Sequence, residues 1–336
     1  MAHNWPVYGH DGAVDFLVRG MTNGRLRHAY LIVGAPSTGK RTLARTFAMA
    51  LNCEDADPAR RPCGECRTCK LITSGNHPDV MTTETDPSTG ALKIEAIRGI
   101  TSRIAMKPYQ ARSRVAILPD FDHAQPRAQD ALLKTLEEPP DYAVLVLLAD
   151  STESILPTIL SRSQIVQLRP AAASVVREVL VQRLSLGSEQ ADSISRFSGG
   201  RVGWALRAAQ DESILQARAE ALDLLESIIG MTRGQRFSLA DKLSNDKAAL
   251  AERLELWLTY WRDVLLQAEG TPVKVCNVDR RAAIERLLYT VDSDQARAAL
   301  HATRALLDRL SYNINLRLAL EVMLLDYPGL EVTAAR

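Results

Sequence analysis

Residues 29–42 read AYLIVGAPSTGKRT: an apolar run, a glycine-containing turn, then a lysine that opens a helical pattern. The pattern G-x-x-x-x-G-K-[S/T] uses its glycines so that backbone N–H groups can curl around phosphate. Its lysine meets the outer phosphates and its last hydroxyl ligates Mg²⁺. Gly34, Gly39 and Lys40 keep the pattern, but Arg41 occupies the hydroxyl position and Thr42 follows one residue late. Downstream, RTLARTFAMAL (41–51) sets Leu43, Phe47 and Leu51 on one helical face, so the order is strand, loop, helix. The loop has the context of a phosphate site, while its metal chemistry is in question.

Outward from this stretch, RVAIL (114–118), AVLVLLA (143–149) and QIVQL (164–168) read as further strands. AVLVLLA is apolar enough to be central in a parallel sheet. DALLKTLEEPP (130–140) falls on a helix expected near 124–136, which must stop at Pro139 and Pro140. A nucleotide-hydrolysing loop also needs an acid after a second strand to hold Mg²⁺. Pro119 stands directly after RVAIL, leaving Asp120 and Asp122 as the nearest carboxylates. After Pro170 the sequence turns all-helical, beginning with AAASVVREVLVQRL and ending in long amphipathic segments such as AALAERLELWLTYWRDVLLQ (248–267) and DQARAALHATRALLDRLSYN (294–313). These read as a bundle, with Trp257 and Trp261 as core residues four apart on one face.

Four of the five cysteines, Cys53, Cys63, Cys66 and Cys69, follow C-x9-C-x2-C-x2-C. Four thiolates suit a tetrahedral Zn²⁺ shell, and an excursion this small cannot bury a core without a staple. The spacing therefore predicts a structural zinc site over 53–69. His77 is surplus to such a shell and is expected to cap or hydrogen-bond locally, and Cys276 reads as an ordinary partly buried residue.

With 336 residues, 46% hydrophobic and 24% charged, the chain fits a folded protein of two or three domains. Its formal net charge of +1 does not suit a chain that grips nucleic acid alone, so any DNA contact should be local or shared with partners. The lack of a long apolar run and of a basic-then-apolar N-terminus predicts a cytoplasmic protein.

The stretches HAYLIVGAPSTGK (28–40), CGECRTC (63–69), HPDV (77–80), DALLKTLEEPP (130–140) and LPTILSRSQ (156–164) together resemble the clamp-loader branch of the AAA+ proteins. SGGRVGWAL (198–206), WLTYWRDVLL (257–266) and NLRLALEVMLL (315–325) are similar to its later domains. The resemblance implies an α/β P-loop AAA+ domain over 1–168 with a zinc-binding insertion. A small helical lid domain over 169–220 and an all-helical collar domain over 221–336 follow. It further implies a heteropentameric DNA polymerase III loader, with gamma/tau and delta subunits as partners and contact with the sliding clamp and primer-template DNA through the complex. In the hydrolysing subunits a second-domain arginine contacts nucleotide; the matching position here is Gly203, with Arg201 nearby, and Asp150 and Ser151 fall at the sensor position after AVLVLLA.

The SRS at 161–163 resembles the family's SRC motif, which implies that Arg162 acts in trans on a neighbour's ATP. Ser163 replaces a cysteine with no chemical part in that scheme. The expected role is an ATPase-inactive stator, with binding of ATP and Mg²⁺ at Gly34, Gly39, Lys40 and Thr42 weak or absent. Two other readings stay open. One is a gamma/tau-like ATPase using Thr42 and Asp120; the other is a zinc-containing DNA-binding module.

Overall fold

The computed structural model describes residues 5–85, 92–310 and 314–329; the end of the segment 294–313 lies outside them. The chain divides into two compact units, one of residues 1–179 and 200–204, the other of 180–199 and 205–336.

In the first unit the elements are α1 (Asp11–Thr22), β1 (Ala29–Val33), α2 (Lys40–Asn52), α3 (Arg67–Thr73), β2 (Val80–Thr82), α4 (Ile94–Ile104), β3 (Arg114–Leu118), α5 (Pro126–Glu137), β4 (Ala143–Ala149), α6 (Pro157–Leu160) and β5 (Gln164–Gln167). The five strands form one sheet in the order β2-β3-β4-β1-β5. Every pairing is parallel, with β1 between β4 and β5. This is the P-loop AAA+ type of α/β sheet, and β4 is buried along its whole length, as its unbroken apolar run requires.

Alternation along the strands divides the core in two. Tyr30, Ile32, Val115, Ile117, Val146 and Leu148 face α1, α2 and α3, where Leu43, Phe47 and Cys69 complete the packing. Leu31, Val33, Ala116, Leu118, Leu145 and Leu147 face α4 and α5, against Ile97, Ile100, Leu132 and Leu136. The helix expected near 124–136 is α5, which begins with Pro126 at its first turn and ends before the paired prolines.

Strand β2 goes beyond the strands read in the sequence. It begins at the last residue of HPDV, where Asp79 is fully buried and accepts backbone N–H groups from Tyr109 at 2.7 Å, Gln110 at 2.9 Å and Ala111 at 3.0 Å. His77 Nδ1 accepts the N–H of Asp79 at 3.1 Å, the local hydrogen bond its position suggests. Burial alone would raise the Asp79 carboxyl, but the three N–H donors and Arg114 outweigh it and hold the group below its ordinary value. A carboxyl lowered on folding adds stability that is present above its unfolded value and disappears as pH falls through the folded one. Asp79→Asn is expected to cost about 2 kcal/mol at pH 7. The gap from wild type should narrow below about pH 4, as read by urea melts across pH; a gap that stays constant with acidification contradicts this.

Helix α7 (Ala173–Leu184) starts in the first unit, and α9 (Val202–Gln210) follows α8 (Ser188–Phe197). The second unit continues with α10 (Glu212–Ile229), α11 (Arg233–Leu243), α12 (Lys247–Ala268), α13 (Arg281–Leu287), α14 (Ser293–Arg309) and α15 (Leu316–Leu325). Trp257 and Trp261 are fully buried, and both ring systems meet Tyr327 edge-on. Arg236, also fully buried, donates to the carbonyls of Leu324, Tyr327 and Pro328 at 2.6–2.8 Å. It thereby satisfies backbone acceptors at and beyond the end of α15. No helix among the described residues is long and apolar enough to cross a membrane.

Candidate functional site

The phosphate-type loop joins β1 to α2. Gly39 precedes the helix with φ of 108°, a left-handed conformation that costs glycine little. Lys40 is buried, and its ammonium donates to the carbonyls of Gly34 at 2.5 Å and Ala35 at 3.1 Å. It also pairs with Asp150 at 2.5 Å. All three of its donors thus have acceptors within the protein. Thr38 Oγ1 donates to Ala35 O, and the Thr38 carbonyl meets His10 Nε2 at 2.9 Å, so the loop is braced from inside and from α1.

Arg41 does more than remove a hydroxyl. Its guanidinium donates to Asp120 Oδ2 at 2.7 Å, joining the residue in the metal-hydroxyl position to the first carboxylate after β3. Asp120 itself lies in the left-handed region at φ of 51°. Asp122 points elsewhere: its carboxylate accepts the N–H of Asp150 at 2.9 Å and of Ser151 at 3.4 Å, at the end of β4. Burial first and the Asp150 charge second push the Asp122 carboxyl upward. Both acids weighed for Mg²⁺ are therefore engaged, one by a cation and one by backbone. Thr42 is half-buried on the first turn of α2.

Gly203 lies against the same loop. Its N–H donates to Ser37 O at 2.8 Å, and a Cβ added there would come within 2.9 Å of that oxygen. The position that the resemblance matches to a nucleotide-contacting arginine is thus filled by backbone-to-backbone contact.

The four cysteines converge at the end of α2. Cys53 terminates that helix, Cys66 caps α3 and Cys69 lies within α3. Their sulfurs all lie within 4.8 Å of one another, so the cluster can hold a metal ion. None of the four forms a disulfide. Cys53, Cys63 and Cys66 each accept a backbone N–H at 3.3 Å, from Cys63, Cys66 and Cys69 respectively. The hydrogen bond from the Cys66 N–H draws the Cys63 thiol down to about 7, while burial pushes Cys53 and Cys69 up. Buried thiolates need a cation among them, and N–H groups aimed at sulfur complement a charged shell. The Arg112 guanidinium donates to the Cys53 carbonyl and Glu54 accepts two bonds from Thr68, tying the module to its surroundings.

Arg162 stands in the turn between α6 and β5. Its side chain is 37% exposed and pairs with Glu137 at 2.9 Å. It also donates to Thr158 O at 3.1 Å and lies 3.3 Å from Ser161 Oγ. It is not gathered into the loop site or the cysteine cluster. Cys276, partly buried, accepts from Arg262 at 3.4 Å.

Two family models match, "DNA polymerase III, delta subunit" over residues 9–172 and "DNA polymerase III, delta subunit, C terminal" over 212–328. The chain is 26% identical over 320 residues to the Bacillus subtilis DNA polymerase III subunit delta-prime, covering 93% of this chain and 94% of that one. With the Escherichia coli delta-prime subunit it shares 28% over 284 residues, covering 84% and 83%. The tau/gamma subunit of Haemophilus influenzae is 36% identical, but only over 156 residues, which are 46% of this chain and 22% of that protein. The tau/gamma likeness covers less than half of this chain, whereas the delta-prime likeness covers nearly all of it and most of the relative; the chain belongs to the delta-prime subunit family of DNA polymerase III.

Proposed function

We propose that this chain is the non-hydrolysing stator of a DNA polymerase III clamp loader and supplies Arg162 to the ATP site of an adjacent gamma/tau subunit. The observation that carries the first half is the Arg41–Asp120 pair, beside a Lys40 whose donors are spent within the protein. A positive side chain standing in the place of the metal-binding hydroxyl, and bonded to the first acid after β3, opposes Mg²⁺ binding beside the loop. The second half is supported by an exposed guanidinium on a short turn, away from its own loop.

Cys53, Cys63, Cys66 and Cys69 would hold a structural Zn²⁺, which supplies folding free energy and no reactive position. Residues 169–220 act as a lid and 221–336 as a collar joining the gamma/tau and delta subunits. The sliding clamp and primer-template DNA are met through that complex in the cytoplasm.

ATP binding and turnover by the purified, zinc-replete chain with Mg²⁺, beside Lys40→Ala, tests the inactive loop. No Lys40-dependent turnover is expected, while Lys40→Ala should lower thermal stability because it leaves Asp150 and two carbonyls unmatched. Turnover that Lys40→Ala abolishes would instead make the subunit a gamma/tau-like ATPase.

A further inference from the structure

Glu137 ends α5, Glu138 caps it, and Pro139 and Pro140 follow. The C-terminal end of a helix carries partial negative charge and disfavours anions. Local preference would therefore place a cation or a small residue at 137. What offsets the mismatch is Arg162, whose guanidinium meets Glu137 Oε1 at 2.9 Å. The carbonyl of Thr158 and the Ser161 hydroxyl hold the other terminal nitrogen at 3.1 and 3.3 Å. Two separate elements, the end of α5 and the turn after α6, thus fix one side chain, and 52% of the Glu137 side chain stays exposed beside it.

We propose that Glu137 is the positioning residue for the trans-acting arginine, an inference that rests on the finger reading of Arg162. An unrestrained arginine loses much rotamer freedom when it meets a phosphoryl group. Glu137 removes part of that freedom beforehand and sets the guanidinium plane, so less ordering is left for the transition state. An exposed ion pair adds little to folding. Its effect therefore appears in rate rather than in stability.

The test reconstitutes the loader with this chain and gamma/tau and delta subunits, and measures clamp- and DNA-stimulated ATP hydrolysis. The variants are Glu137→Ala, Glu137→Gln, Arg162→Ala and the double Glu137→Ala/Arg162→Ala. Glu137→Ala is expected to lower kcat at the served site about tenfold with KM for ATP within about twofold. Glu137→Gln, which keeps one acceptor oxygen, should lie between it and wild type. In the double variant Glu137→Ala adds nothing to Arg162→Ala, because the two act as one unit. Full turnover with Glu137→Ala while Arg162→Ala is slow overturns the positioning role and leaves the finger standing. The same factor of loss from Glu137→Ala with and without Arg162 also overturns it. Full turnover with Arg162→Ala overturns the finger and the positioning role together.

Discussion

Replacing Arg162 by alanine is expected to slow ATP hydrolysis at the gamma/tau site it is proposed to serve by about 10³-fold or more, the scale of an arginine supplied in trans in other nucleotide hydrolases. The isolated chain should fold as before. Arg162 is exposed and its partners are a surface glutamate, a carbonyl and a hydroxyl, so its loss belongs among surface changes of about 0.5 kcal/mol or less. Lysine should restore little, because an ammonium keeps the charge but lacks the planar fork that spans two phosphoryl oxygens. Single-turnover hydrolysis in the reconstituted loader, with melting curves of the free variant, separates the two effects. Wild-type turnover with Arg162→Ala would sink the finger.

Stripping the proposed Zn²⁺ is expected to unfold the segment from Cys53 through α3. Zinc binding in isolated finger peptides is worth about 10 kcal/mol or more, and this module has few other sources of stability. Its two buried sulfurs, Cys53 and Cys69, lie in the same core as Phe47, Leu51 and Ile72, so damage should spread into the end of α2. Cys69→Ser should behave as chelation does, since a serine there supplies a far weaker ligand on a buried site. Elemental analysis should find one Zn²⁺ per wild-type chain. Hydrogen exchange should show protection lost over 53–73 on chelation while β4 stays protected. Unchanged melting after complete removal of metal would show that the cysteines pack without an ion.

The arrangement of β1, loop and α2 was legible because it is local: a continuous apolar run, a glycine turn and a helical face lie within two dozen residues. Strand β2 was not, since three residues, partly buried, buried and exposed in turn, carry too little pattern. The cysteine cluster could be read from spacing because its ligands sit within one excursion of the chain. The Arg41–Asp120 pair could not. Its partners are 79 residues apart, and they meet because β3 and β1 flank β4 in the sheet, an adjacency that only topology supplies. In sequence, Arg41 reads as a missing hydroxyl and Asp120 as a spare acid; in the fold each accounts for the other. Likewise Asp122, weighed as a metal ligand, holds the backbone at the end of β4.

Gly203 makes the proposed inactivity of the loop hard to reverse. Its amide is already bonded to Ser37 and a Cβ there would lie 2.9 Å from the carbonyl oxygen, so the arginine of a working nucleotide site cannot return by substitution alone. The start of α9 would first have to back away from the loop, and Arg41 and Asp120 would have to part in the same lineage. Each step alone loses a contact and gains no chemistry. On the stator reading, a ring containing this chain keeps one fixed, silent place in its firing order.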